Sequence, residues 1–142
     1  MTLLTISAQA GWQENTIAAV LVAEAGGEGL SGMQLVAEVI INRAQQGHKS
    51  IVTVISKPGE FTCLNHTTST KLYLKWLRKN PQGMQEALKL VQQMLKQPEQ
   101  FKRRLPRNVL FYDNKRYPKA DSWPQNLAVF AIIGNHRFWV TQ

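Results

Sequence analysis

The chain of 142 residues holds a single cysteine, Cys63. No disulfide can form within it, which excludes a small fold held by covalent staples. Histidine is nearly as scarce, with only His48, His66 and His136. Cys63 and His66 have a ligand-like spacing, but no second pair completes a zinc site, so neither a metal nor another cofactor is expected. Acids are few, nine against seventeen Lys and Arg, for a formal charge of +8. That imbalance favours polyanions as partners: nucleic acid, an anionic membrane face or an acidic cell-wall polymer. No apolar run approaches the about 18 residues of a membrane span, so membrane insertion is not expected. Residues 1–10 end in Ala8-Gln9-Ala10, similar to a signal-peptidase site, yet no Lys or Arg precedes the short apolar run. We therefore expect synthesis in a cytoplasm without a signal peptide. The length suits one domain, 1–142, with a core large enough to fold unaided.

What is present is organised around Val20-Leu21-Val22-Ala23-Glu24-Ala25-Gly26-Gly27-Glu28. Ile17, Val20 and Leu21 fall on one helix face, and Glu24 takes the next place on that stripe. An ionised acid is costly to bury, so Glu24 calls for a raised pKa or a partner. Gly26 and Gly27 end helices readily, which sets Glu24 near a helix C-terminus beside a loop. A general acid could be held neutral there and still meet a substrate; an acid snorkelling from the edge of the core is the alternative.

The pattern predicts a first helix over 15–25, with Asn15 as N-cap, after a leading segment closed by Trp12. A connection over 26–30 leads to a second helix starting at Ser31, where Gln34 completes a capping-box pattern, and ending at Gly47. This helix is apolar on most sides, while Gln34, Glu38, Asn42 and Gln45 form one polar stripe facing water or a cleft. Residues 50–56 form one or two helical turns, Lys57-Pro58-Gly59 a turn, and 60–70 a loop holding Phe61. A third helix begins near Thr70, with Lys71, Lys75, Arg78 and Lys79 opposite Leu72, Trp76 and Leu77. Asn80-Pro81-Gln82-Gly83 reads as a turn before an amphipathic helix over 84–95.

The densest basic cluster is Lys102-Arg103-Arg104 with Arg107, a pattern that most often marks solvated surface. Strands are expected over 109–112, 127–133 and 136–140, with Gly134-Asn135 as a hairpin turn between the last two. Alternation puts His136, Phe138 and Val140 on one face, and Arg137 and Trp139 on the other. Trp123, in the loop over 113–126, is exposed or caps a cleft. The fold class is thus α+β, mainly helical, with a small C-terminal β-hairpin or sheet.

Five segments in order carry a family resemblance. They are Ala23-Glu24-Ala25-Gly26-Gly27-Glu28-Gly29, Val36-Ala37-Glu38-Val39-Ile40-Ile41-Asn42-Arg43, Pro58-Gly59-Glu60-Phe61-Thr62-Cys63, Leu110-Phe111-Tyr112, and Ile133-Gly134-Asn135-His136-Arg137-Phe138. This order resembles the SleB/CwlJ-like cell-wall hydrolases of spore-cortex lysis and phage lysins. Ala23, Gly26 and Glu60 replace the family's usual Gly, Arg and Gln, and the missing Arg removes a charge partner for the carboxylates. The resemblance implies a lysozyme-like helical body around a catalytic glutamate. It also implies cleavage of the MurNAc–GlcNAc bond of peptidoglycan, as a lytic transglycosylase or a muramidase. The family's catalytic acid maps to Glu24.

On that basis the candidate substrate-binding residues are Glu28, Asn42, Phe61, Tyr112 and His136. Glu28 would serve as a second carboxylate or cap the next helix. Asn42 would bond an N-acetyl group or be solvated, and Arg43 would pair structurally with a carboxylate. Phe61 would stack on a sugar or anchor its loop. Tyr112 would donate to a sugar hydroxyl or fill the core, and His136 would act in the cleft or hold the turn. Expected partners are peptidoglycan glycan strands met by a monomer, with no specific nucleic acid. The expected setting is a phage endolysin reaching the cell wall or periplasm after release or delivery; a virion-associated lysin or a secreted effector would look the same. Two rivals remain: a cell-wall peptidase using Cys63 and His136, and a non-enzymatic basic nucleic-acid module.

Overall fold

Apolar residues of the first helix, Ile17, Val20 and Leu21, are fully shielded from solvent and form the centre around which the other elements pack. The computed structural model describes residues 11–58, 60–97 and 99–142; residues 1–10, with their Ala8-Gln9-Ala10 sequence, lie outside the described residues.

Helix α1 spans Trp12–Ala25 and starts three residues earlier than expected. Its N-cap is Gly11, so Asn15 is not the cap. Instead the Thr16 hydroxyl donates to the Trp12 carbonyl at 2.8 Å within the first turn. Trp12 is the first residue of this helix and stands 57% exposed; the leading segment it was expected to close lies outside the described residues. A 3-10 turn, Gly26–Glu28, follows, and Gly29 at φ +72° swings the chain into α2, Gly29–Gly47. The capping box of Ser31 and Gln34 is not formed, because the helix already begins at Gly29 and Gln34 is used elsewhere.

Helix α3, Ile51–Ser56, is capped by the Ser50 hydroxyl, which accepts from the Thr53 amide at 3.1 Å. Thr68 caps α4, Ser69–Lys79, in the same way. Leu72 of α4 is buried, whereas Leu77, expected beside it, is 40% exposed. Helix α5 is Pro81–Lys96. The run Asn80-Pro81-Gln82-Gly83 is therefore a helix start rather than a turn. The Asn80 side chain accepts from the Gly83 amide at 3.0 Å, and Pro81 sits where its missing N–H costs nothing.

The polar stripe of α2 is spent for most of its length on another part of the chain. It meets the chain that leads into the sheet. Gln34 donates to the Lys102 carbonyl at 2.7 Å, and Glu38 accepts from the Arg104 and Leu105 amides at 2.7 and 2.9 Å. Asn42 donates to the Pro106 and Val109 carbonyls at 3.0 and 2.9 Å, and Arg43 Nε to the Leu110 carbonyl at 2.7 Å. Side chains one helical turn apart thus satisfy successive backbone groups of the segment that leads into and opens β1. Phe101 and Leu105 anchor that segment in the core. Arg103, from the basic cluster, turns inward toward Glu38 and Asn42. Only Gln45 of the stripe is exposed.

Three antiparallel strands follow: β1 Val109–Asn114, β2 Leu127–Ile133 and β3 His136–Thr141, in spatial order β1-β3-β2. The expected alternation along β3 is present. Phe138 lies in the core, while Arg137 and Trp139 meet Asp113 on the opposite face at 2.7–2.9 Å. The mainly helical α+β class, with a small C-terminal sheet, is the architecture observed.

Glu38 is fully buried, so Glu38→Ala leaves two amides without acceptors. We expect a loss of about 3 kcal/mol or more, read as a lower urea midpoint, whereas Gln45→Ala shifts it by less than about 0.5 kcal/mol.

Candidate active site

Glu24 is the next-to-last residue of α1 and half-buried, beyond the shielded stripe of Ile17, Val20 and Leu21. The fold supplies it with a partner. The Tyr112 hydroxyl, from β1, donates to Glu24 Oε1 at 2.6 Å. Tyr112 pairs with Phe138 across the sheet, so its ring is set by β3. Burial, then the charge of Glu24, pushes the Tyr112 pKa well above the ordinary phenol value, so the hydroxyl remains a donor at any working pH.

Glu28 reaches the same region by another route. The helix does not continue through Gly26-Gly27, so Glu28 is not on a common face with Glu24. Its Oε2 accepts from the Asn135 amide at 3.0 Å, and its Oε1 pairs with Nδ1 of His136. One partner lies in the β2–β3 turn and the other is the first residue of β3. Gly134 in that turn has φ +57°, and a methyl group there would run into the Glu28 carboxylate, so two constraints require glycine. The His136 ring lies 5.6 Å from that of Tyr112. The two carboxylates of the α1–α2 junction are thus joined through one histidine–tyrosine pair.

Two expected sugar contacts are corrected. Asn42 is 1% exposed and gives both amide hydrogens to backbone carbonyls, so it cannot reach an N-acetyl group. Phe61 is 1% exposed, with the Arg43 guanidinium 6.0 Å from its ring centre, and it anchors its loop instead of stacking on a sugar. Arg43 does find a carboxylate, Glu60, at 3.4 Å, and its guanidinium also lies 5.9 Å from the Tyr112 ring centre.

The aromatic wall is supplied by other residues. A cleft of about 740 Å³ runs along the outer edge of β1, lined by Tyr112, Phe111 and Trp123 and by Arg43, Lys57 and Glu60. The Phe111 and Trp123 rings are 5.0 Å apart and tilted, so Trp123 caps the cleft. Phe111 escaped notice as a site residue, although its neighbour Tyr112 packs toward the core. As an edge strand, β1 lets residues of both faces border one cleft.

Cys63, in the 3-10 turn Thr62–Leu64, feels the charge of Glu24. Burial and then that charge push its thiol up to about 12. A thiol so placed is a poor nucleophile, and the His136 Nδ1 that would serve a cysteine peptidase is held by Glu28.

Residues 27–139 match the family model described as Cell Wall Hydrolase. The matched region includes Glu28, Tyr112 and His136, and Glu24 stands three residues before it. No curated protein and no solved structure matches the chain.

The thiol carries a measurable consequence. Between pH 9 and 12 the unfolded chain releases its thiol proton while the folded chain keeps it, so stability should fall as pH rises through that window. In native protein at pH 8, alkylation of Cys63 by iodoacetamide should be at least about 100-fold slower than in urea-unfolded protein. Equal rates would contradict this half-buried placement within the field of Glu24.

Proposed function

Because the chain belongs to the cell wall hydrolases, enzymes whose substrate class is peptidoglycan, we propose that it cuts the glycan strand at the MurNAc–GlcNAc bond with Glu24 as general acid. The observation that carries this reading is the bond of 2.6 Å from Tyr112, a wall residue of the aromatic cleft, to a carboxylate at the end of an apolar helix stripe. Tyr112 fixes one carboxyl oxygen; the other, Oε2, has no hydrogen-bond partner among the described residues and is where a proton would be carried to the substrate.

In the first step Glu24 gives its proton to the glycosidic oxygen as the C1–O bond breaks, leaving positive charge on the muramyl ring. In the second, the Glu24 carboxylate takes the proton of the muramyl 6-hydroxyl, and O6 closes on C1 to give a 1,6-anhydro end. Hydrolysis requires instead a second carboxylate to act as nucleophile or to direct water. Both oxygens of Glu28 are occupied by Asn135 and His136, which supports the anhydro route. Phe111 and Trp123 would present sugar-stacking surface along the cleft. The lysozyme-like body and the endolysin setting belong to the same proposal, supported by the helical core around Glu24 and by the charge of +8, which suits an anionic wall.

Mass spectrometry of muropeptides released from purified sacculi should find anhydro-MurNAc ends. Reducing MurNAc ends would replace the second step by hydrolysis, and uncut glycan strands would refute glycosidase action altogether. Glu24→Gln should lower turnover by about 1,000-fold or more, and Cys63→Ala by less than about twofold.

Tyr112→Phe should lower kcat by about tenfold with little change in KM, and should displace the alkaline limb of the pH–rate profile, where the general acid loses its proton. An unchanged profile with a raised KM would place Tyr112 at the substrate instead of at Glu24.

A further inference from the structure

A second hollow of about 670 Å³ adjoins the aromatic cleft, and Arg43, Gly47, Lys57 and Glu60 line both. Its far side is built by Lys49 and by α3, which contributes the small apolar Val52 and Val54 and the hydroxyl-bearing Thr53 and Ser56. Three cations, Arg43, Lys49 and Lys57, face one carboxylate, Glu60. Glu60 is shared by two of them, at 3.4 Å from Arg43 and 3.1 Å from Lys57. Lys49 has no carboxylate partner among the described residues. The wall is therefore net cationic, and one of its ammonium groups is uncommitted.

Charge of this kind has no use for the uncharged sugar ring, and the aromatic side chains are confined to the first cleft. A ligand spanning both hollows needs a ring-bearing part at Phe111 and Trp123, joined to a part with carboxylates and small apolar groups at Lys49 and Val52. We infer that the second hollow takes the short acidic peptide carried on alternate sugars of peptidoglycan, so that the enzyme selects peptide-bearing over naked glycan. This inference rests on the glycosidase reading for the identity of the ring-bearing part. The peptide carboxylates pair with Lys49 and Lys57, and its alanine-sized side chains lie against Val52 and Val54. Basic residues at such a position would also slow release of the cut strand at low ionic strength.

Binding separates this inference from the catalytic reading. In the Glu24→Gln protein, titration with a peptide-bearing disaccharide and with the same disaccharide stripped of peptide should give affinities differing by about tenfold or more, a gap that narrows as salt rises. Lys49→Ala with Lys57→Ala should abolish the gap, whereas Lys71→Ala with Lys75→Ala, on the exposed face of α4, should leave it intact. Equal affinities, or a gap that survives loss of Lys49 and Lys57, would overturn the inference. Selective binding of the peptide-bearing form by a native protein that cuts no glycan would uphold the hollow and refute the glycosidase reading. Cutting without peptide preference would do the reverse.

Discussion

The rest of the structure depends on how one helix satisfies the backbone of the segment that leads into the sheet. Residues 102–110 run along α2 into the start of β1, and their carbonyls and amides need partners wherever the helix shields them from water. Gln34, Glu38, Asn42 and Arg43 meet those groups in order, from Lys102 to Leu110. Helix geometry makes this possible, because positions four apart stack on one face and so present a column of polar groups. The column fixes where β1 enters the sheet. Since β1 carries Tyr112, the same column fixes the hydroxyl that meets Glu24.

The site lies where the helical half and the sheet half touch, and each half brings only part of it. Glu24 and Glu28 come from the α1–α2 junction; Tyr112, Asn135 and His136 come from the sheet. Neither carboxylate has its partner in its own half. Undocking the sheet would therefore expose both acids and disperse the site, so stability of the 102–110 contact and integrity of the site are coupled. Family membership is carried by residues on both sides of this junction, since the matched region runs from Gly27 to Trp139.

Much of this was legible in the sequence, and the gaps have physical reasons. The apolar stripe ending in Glu24, the glycines after it and the β2–β3 turn were readable because each is a local property of spacing or backbone conformation. The polar stripe of α2 was also readable, but its destination was not. A helix-face pattern reports only that polar groups share a side; whether they face water or another segment's backbone is decided by tertiary packing. Asn42 and Phe61 were misassigned to sugar for that reason, one being spent on carbonyls and the other on loop anchoring. The Asn80-Pro81 start of α5 was misread because turns and helix N-termini use the same residues. Glu28 illustrates the opposite limit. The break at Gly26-Gly27 removed the only sequence argument for placing it near Glu24, yet a turn more than a hundred residues away brings it there.

The two acids also differ in what remains available to each. A general acid must keep one carboxyl oxygen free to hold and release a proton while the rest of the group is held still. Glu24 meets that requirement, with Oε1 bound by Tyr112 and no partner for Oε2 among the described residues. Glu28 does not, because Asn135 and His136 take one oxygen each. Gly134 adds a steric reason: the turn closes so tightly over Glu28 that even a methyl group would collide with it. Glu28 is thereby suited to fixing the turn, and with it the His136 ring beside Tyr112, while Glu24 keeps one oxygen without a partner among the described residues. On the proposed reading of Glu24 as the acid, the part left to Glu28 is to hold the His136 ring beside Tyr112.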